Sequence, residues 1–188
     1  MEENKNYHII AISGSLREES YNTMALKTAQ KVAPPNIIVE QISIKEVPFY
    51  NEDLYKKDFP PLVNELVAKI KSADGVLIVS PEYNYSIPGV LKNAIDMFSR
   101  HPDKPFDSKA VAIMGASTGL FGTARMQYHL RQVMVFLNAW TVNRPEIMIG
   151  QAKDKFDANG NLTDSKATEM IRQLLISLAG LSELISKK

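Results

Sequence analysis

Apolar runs of strand length that never alternate with polar residues are the strongest constraint on how this 188-residue sequence folds. Residues 75–80 read GVLIVS, and residues 7–13 read YHIIAIS. Successive side chains of a strand point to opposite faces, so a run that is apolar at nearly every position must be covered on both. Between these runs lie helix-length segments with a single apolar stripe. In 61–72, for example, Leu62, Leu66 and Ile70 recur every fourth residue. Strands buried on both faces and separated by amphipathic helices indicate a parallel α/β sheet.

The alternation predicts strands over 7–13, 37–44, 75–80, 110–115 and 141–149, and helices over 22–33, 61–72, 89–99, 123–138 and 164–186. Pro34 and Pro35 end the first helix. Five βα units in a chain of this length predict one domain over 1–188. Its fold is then a flavodoxin-like, doubly wound five-stranded sheet of order 2-1-3-4-5 with helices on both faces. The stretch 43–60, with Pro48, Tyr50, Tyr55 and Pro60, is long for a connection and is expected to be functional or to lie at an interface.

Composition narrows the chemistry. The formal net charge is +1, so no overall field draws nucleic acid or an anionic membrane, and binding must be local. The absence of cysteine removes disulfides, thiolate metal sites, iron–sulfur clusters and cysteine nucleophiles. His8, His101 and His129 have no carboxylate or second histidine at ligand spacing, so no metal site is expected. The polar segment 1–6 precedes an apolar stretch, 9–12, too short for a leader or a membrane span, and a cytoplasmic location is the expectation.

Ligands of open parallel sheets bind beyond the carboxyl ends of the strands. The loop after the first strand carries Ser13, Ser15, Ser20, Asn22 and Arg17 and then opens a helix. Hydroxyls, a guanidinium and a helix N-terminus suit a phosphate dianion. Ser20 or Asn22 would equally serve as an ordinary helix cap. Neither G-x-G-x-x-G nor a Gly-Lys-Ser/Thr loop is present. The loop after the third strand, Pro81-Glu82-Tyr83-Asn84-Tyr85-Ser86-Ile87-Pro88-Gly89, is stiffened by two prolines and offers a flat wall and hydrogen bonds to a planar heterocycle. Alternatively, it is a turn whose tyrosines pack on the core. The loop after the fourth strand, 115–122, holds Ser117 and Gly119 among small residues that let a ligand approach the backbone. Together the three loops match flavin mononucleotide (FMN) in size and chemistry.

The residues also carry a resemblance. Gly14-Ser15-Leu16-Arg17, followed by Ser20 and Asn22, resembles the phosphate loop of the NAD(P)H-dependent FMN reductase family. The run from Pro81 through Asp96 is similar to that family's second signature almost residue for residue, and 128–132 (YHLRQ) looks like its chromate and quinone reductase branch. The resemblance implies bound FMN, NAD(P)H as donor, and dimers or tetramers. By position it assigns the phosphate to Ser15, Arg17, Ser20 and Asn22. The flavin falls to Pro81, Glu82, Tyr83, Asn84, Tyr85 and Ser86, with Ser117 and Gly119 approaching the ring. No side chain acts as acid or base, since the flavin carries the hydride.

The reaction expected is electron transfer from NAD(P)H to quinones or other electron-poor small molecules (chromate, azo and nitro compounds) in one shared pocket, hence ping-pong kinetics. Arg100 is a candidate for the nicotinamide phosphates. Asp96 is read as a solvated charge or a partner for Arg100. A flavodoxin-type electron carrier is the alternative, although such carriers are usually strongly acidic. A receiver-like domain would need an acidic cluster where Ser13-Gly14-Ser15 stands. The apolar run 133–137 leaves no polar face on its helix, and Met97 and Phe98 cannot both face one sheet, so a homo-oligomer joined through these two helices is expected. Arg125, Tyr128 and Arg131 would then form a polar rim, pairing with Glu146 or Tyr85 across a further contact.

Overall fold

The structure, a computed structural model, describes residues 5–55 and 58–187; part of the polar segment 1–6 lies outside the described residues. Strands β1 (Tyr7–Ser13), β2 (Ile37–Ile42), β3 (Gly75–Val79) and β4 (Ala110–Ala116) run parallel. Two short strands, β5 (Trp140–Thr141) and β6 (Ile147–Ile149), follow on the far side of β4. The order is β2-β1-β3-β4-β5, with β6 also on β4, which is the flavodoxin-like arrangement the pattern predicts.

The fifth strand, expected unbroken over 141–149, is split. Its first part pairs with Ala110 and Val111, and its second with Met114 to Ala116. Pro145 stands in the gap, where a residue without an N–H gives nothing to a ladder. The 43–60 stretch also holds a short helix, α2 (Glu52–Tyr55).

The strands alternate between two cores. Ile9 and Ala11 of β1 face one, and Ile10 and Ile12 the other, each no more than 1% exposed. Helices α1 (Tyr21–Val32) and α6 (Ser165–Ser186) cover the first face. Helices α3 (Pro61–Ser72), α4 (Gly89–Ser99) and α5 (Ala124–Phe136) cover the second. Each large aliphatic side chain buried in these layers contributes roughly 1.5–3 kcal/mol.

Two expectations about α4 change. Met97 and Phe98 are both fully buried within the chain, because α4 packs on the sheet and against neighbouring elements at once. They need no second subunit. Asp96 pairs with Lys92, one turn earlier, at 2.8 Å rather than with Arg100. In the run 133–137, Met134 is buried and Val133 and Leu137 pack against the core, while Val135 and Phe136 are 78% and 79% exposed. Neither α6, on the opposite face, nor the described part of 43–60 covers them.

Candidate functional site

The carboxyl ends of β1, β3 and β4 open onto one cavity of about 430 Å³, within the roughly 300–1,000 Å³ of small-ligand sites. Ser15, Arg17, Ser20 and Asn22 line it from the first loop, Pro81, Glu82 and Tyr83 from the second, and Ser117 from the third. Glycines allow the strand ends to close up beneath it. A Cβ on Gly14 would strike the side chain of Ser80, and one on Gly115 would strike the Ser80 carbonyl and the Thr123 side chain.

At the α1 end of the cavity, Ser20 caps the helix, its Oγ accepting from the backbone N–H of Asn22 (3.2 Å) and Thr23 (3.4 Å). Ser15 Oγ accepts from Arg17 N–H at 3.3 Å. A hydroxyl that accepts still has its own proton to donate. Arg17 is exposed, with its guanidinium 5.5 Å from the Tyr21 ring centroid, and it forms no ion pair with any carboxylate among the described residues.

Asn22 is engaged differently. Its Nδ2 donates to the Ala116 carbonyl at 2.9 Å, and its Oδ1 accepts from the Ala116 N–H at 2.8 Å. The amide thus clasps the end of β4 to the start of α1.

In the second loop, Tyr83 and Ser86 close a turn with two reciprocal backbone bonds, and Asn84 (φ 50°) and Tyr85 (φ 64°) are left-handed within it. Asn84, Tyr85 and Ser86 are not in the cavity wall. Glu82 borders the cavity, but its carboxylate turns toward α5, accepting from Met126 N–H at 3.0 Å and from Arg125 at 3.2 Å. Arg125 also lies 4.0 Å from the Tyr85 ring centroid and 5.1 Å from that of Phe121, all within one chain. Arg131 donates to the Val142 carbonyl. In the third loop, Gly119 N–H donates to Ser117 Oγ at 3.1 Å. Gly119 stands just beyond the wall that Ser117 and Thr118 form.

Arg100 is not brought to this cavity. It follows α4, whose eleven residues span about 16 Å from the second loop, and it borders two other cavities, one of about 310 Å³ with Lys104 and Phe136 and one of about 520 Å³ with Ser86 and His129. Tyr21, Ala116 and Thr118 also line the main cavity and were not singled out in the sequence. Tyr21 lies between two motif residues, and Thr118 beside Ser117, so adjacency was the available signal. Among the described residues, no group of three or more histidine or acidic side chains is placed to hold a metal ion, and no helix is long and apolar enough to cross a membrane.

A doubly wound sheet with hydroxyls and a free guanidinium at a helix start, beside a stiff wall and closely packed glycines, defines a mononucleotide-binding α/β protein. Residues 7–154 match the model of the NADPH-dependent FMN reductase family. The chain is 52% identical over 170 residues to an NAD(P)H-dependent FMN reductase of Pseudomonas aeruginosa, covering 90% of this chain and 92% of that one. It is 48% identical over 151 residues to a quinone reductase of Escherichia coli, covering 79% and 80%. The structure of FerB, a flavoenzyme NAD(P)H:(acceptor) oxidoreductase of Paracoccus denitrificans, superposes with a TM-score of 0.85 at 30% identity, covering 95% of this chain and 98% of that one. This chain therefore belongs to the NADPH-dependent FMN reductase family, a family of oxidoreductases.

Proposed function

We propose that the chain holds FMN in the cavity at the carboxyl ends of β1, β3 and β4, and passes electrons from NAD(P)H to quinones or similar electron-poor molecules. One observation carries the reading: Ser15, Ser20 and Arg17, at the positions where the sequence resembles the family's phosphate loop, line a cavity of about 430 Å³, the two hydroxyls accepting backbone bonds and so keeping their own protons to donate. The residues fit the group. The two serines and Arg17 would hold the phosphate, and Pro81 to Tyr83 would form the wall along the ring. Ser117 and Gly119 would let the ring approach the backbone. Asn84, Tyr85 and Ser86 would shape that wall from behind.

FMN supplies the hydride-accepting and hydride-donating chemistry when bound. The chain's own part is to bind, orient and leave one face of the cavity open. A single open site lets donor and acceptor enter in turn, which gives ping-pong kinetics. Chromate, azo and nitro compounds are candidate acceptors on the same ground. Three experiments test the reading. Purified protein should be yellow, with flavin absorption bands. Steady-state NAD(P)H oxidation should depend on added quinone and give parallel double-reciprocal plots; a pure electron carrier would show no such turnover. Arg17→Ala should weaken FMN binding about tenfold to a hundredfold, since a charge-assisted bond is worth roughly 1.5–3 kcal/mol. Unchanged affinity would remove Arg17 from the site.

We also propose that the exposed Val135 and Phe136 of α5 pack against a second copy of the chain. Adjacent apolar side chains almost fully in water favour burial. A dimer, or a dimer of dimers, would provide it.

A further inference from the structure

The turn in the second loop is held from outside the cavity. Asn84 and Tyr85 are consecutive non-glycine residues in the left-handed region. Such residues persist only where their surroundings over-determine them. The surroundings here belong to α5. Its own N-cap residue, Thr123, makes no side-chain cap bond. Glu82 supplies the cap from the other loop, its side chain 8% exposed, with one oxygen on the Met126 N–H and the other on Arg125. A carboxylate at a helix N-terminus is further favoured by the helix dipole. Arg125 in turn lies against the rings of both Tyr85 and Phe121. Ser86 Oγ adds a 3.1 Å bond to His129 Nδ1.

We infer that Glu82 is a positioning residue: with Arg125 it braces the loop after β3 against the loop after β4, and so fixes the cavity wall along which a planar ring lies. The inference builds on the assignment of this cavity to FMN. The ion pair joins the segments that follow two neighbouring strands, beyond the last backbone bond between them at Ser80, so side chains add to the sheet in setting the wall's position. Glu82 needs no contact with the ligand to act in this way.

The test uses Glu82→Gln, Arg125→Met and the double variant, as full-length chains. Two readouts are taken: amide hydrogen exchange in FMN-free protein, and the FMN dissociation constant from flavin fluorescence. Both single variants should speed exchange at the Ser86 amide at least tenfold and weaken FMN binding about tenfold. The double variant should be no worse than the worse single one, because the two residues act as a unit. Arg125→Lys keeps the charge without the flat stacking surface and should restore only part of the protection. Wild-type exchange at Ser86 in either single variant would overturn the brace, as would effects that simply add. If Glu82→Gln does not fold, the two Arg125 variants decide the question, since that side chain is 40% exposed. Wild-type protein that binds no FMN would overturn the site assignment instead, and the exchange rates of FMN-free protein would still decide the brace.

Discussion

Replacing Asn22 with alanine separates two roles for one motif residue. Strand β3 ends its pairing with β4 at Val79 opposite Met114, and Ser80 N–H reaches the Met114 carbonyl. Alternate residues of a strand offer their N–H and C=O to the same side. Ala116 therefore presents both groups to a side where β3 has run out, and the Asn22 amide takes the place of the missing strand. Asn22 is 3% exposed and Ala116 2%. Removing the amide leaves two nearly buried backbone groups without partners, at about 1–3 kcal/mol each. The cavity beside them admits water, so the lower half of that range applies to each, about 2–4 kcal/mol in total. With a urea m-value of about 2.5 kcal/mol/M, the unfolding midpoint of FMN-free Asn22→Ala protein should fall by about 1–1.5 M. Asn22→Asp should do no better, because it keeps the acceptor, loses the donor and sets an oxygen against the Ala116 carbonyl. A stability loss below about 0.5 kcal/mol, accompanied by a large drop in FMN affinity, would refute the clasp and make Asn22 a direct phosphate ligand.

Gly115→Ala should destabilise by about 1–3 kcal/mol or prevent folding, since its Cβ would meet the Ser80 carbonyl and Thr123; a thermal midpoint equal to wild type would contradict the close packing. Asp164 caps α6 through the Ala167 N–H, and that bond, then Lys155, holds its carboxyl below the usual value of 3.8. The stability it supplies is present above that value and is lost as pH falls through the lower folded one. Asp164→Ala should therefore cost about 1 kcal/mol at neutral pH, with the gap to wild type closing in strong acid; a gap independent of pH would exclude the carboxylate as its source. Phe136→Glu should shift the protein toward a 21.0 kDa monomer in sedimentation equilibrium, while a wild-type protein that is already monomeric at micromolar concentration would end the oligomer proposal.

The sheet was legible because its signal is physical and local. Runs such as GVLIVS satisfy only a strand buried on both faces, and the strand order followed from five βα units. The break between β5 and β6 was less visible, since 141–149 has ordinary strand composition apart from Pro145. Met97 and Phe98 misled for a different reason. Helical periodicity assumes a single covered face, whereas α4 is packed from more than one direction. In the site, residue types and loop positions were readable but the direction of each side chain was not. Glu82 and Asn22 read as ligand contacts, and the structure turns one toward α5 and the other toward β4. Arg125 read as a rim residue that would meet Glu146 or Tyr85 across a subunit contact; the structure sets it on Tyr85 and Glu82 of its own chain, 40 and 43 residues away, and Glu82 as its partner carried no signal in the sequence.

The cap and the phosphate cradle, which compete when the first loop is read as sequence, are compatible in three dimensions. Capping by Ser20 uses the acceptor capacity of its oxygen toward Asn22 and Thr23. A dianion needs the opposite, a proton, and a serine that accepts backbone bonds still has one. Ser15 stands in the same position, accepting from Arg17 N–H while lining the cavity. Capping also orients these hydroxyls before any ligand arrives, which lowers the ordering cost of binding. Carboxylates in the same place would cap equally well but would repel the anion. Glu18 and Glu19 are exposed and outside the cavity wall, and the first turn of α1 contains no acidic residue. Serine at position 20 thus satisfies the helix, serine at position 15 satisfies the loop, and both leave the cavity electrostatically open to phosphate, with Arg17 supplying the one formal positive charge from this loop.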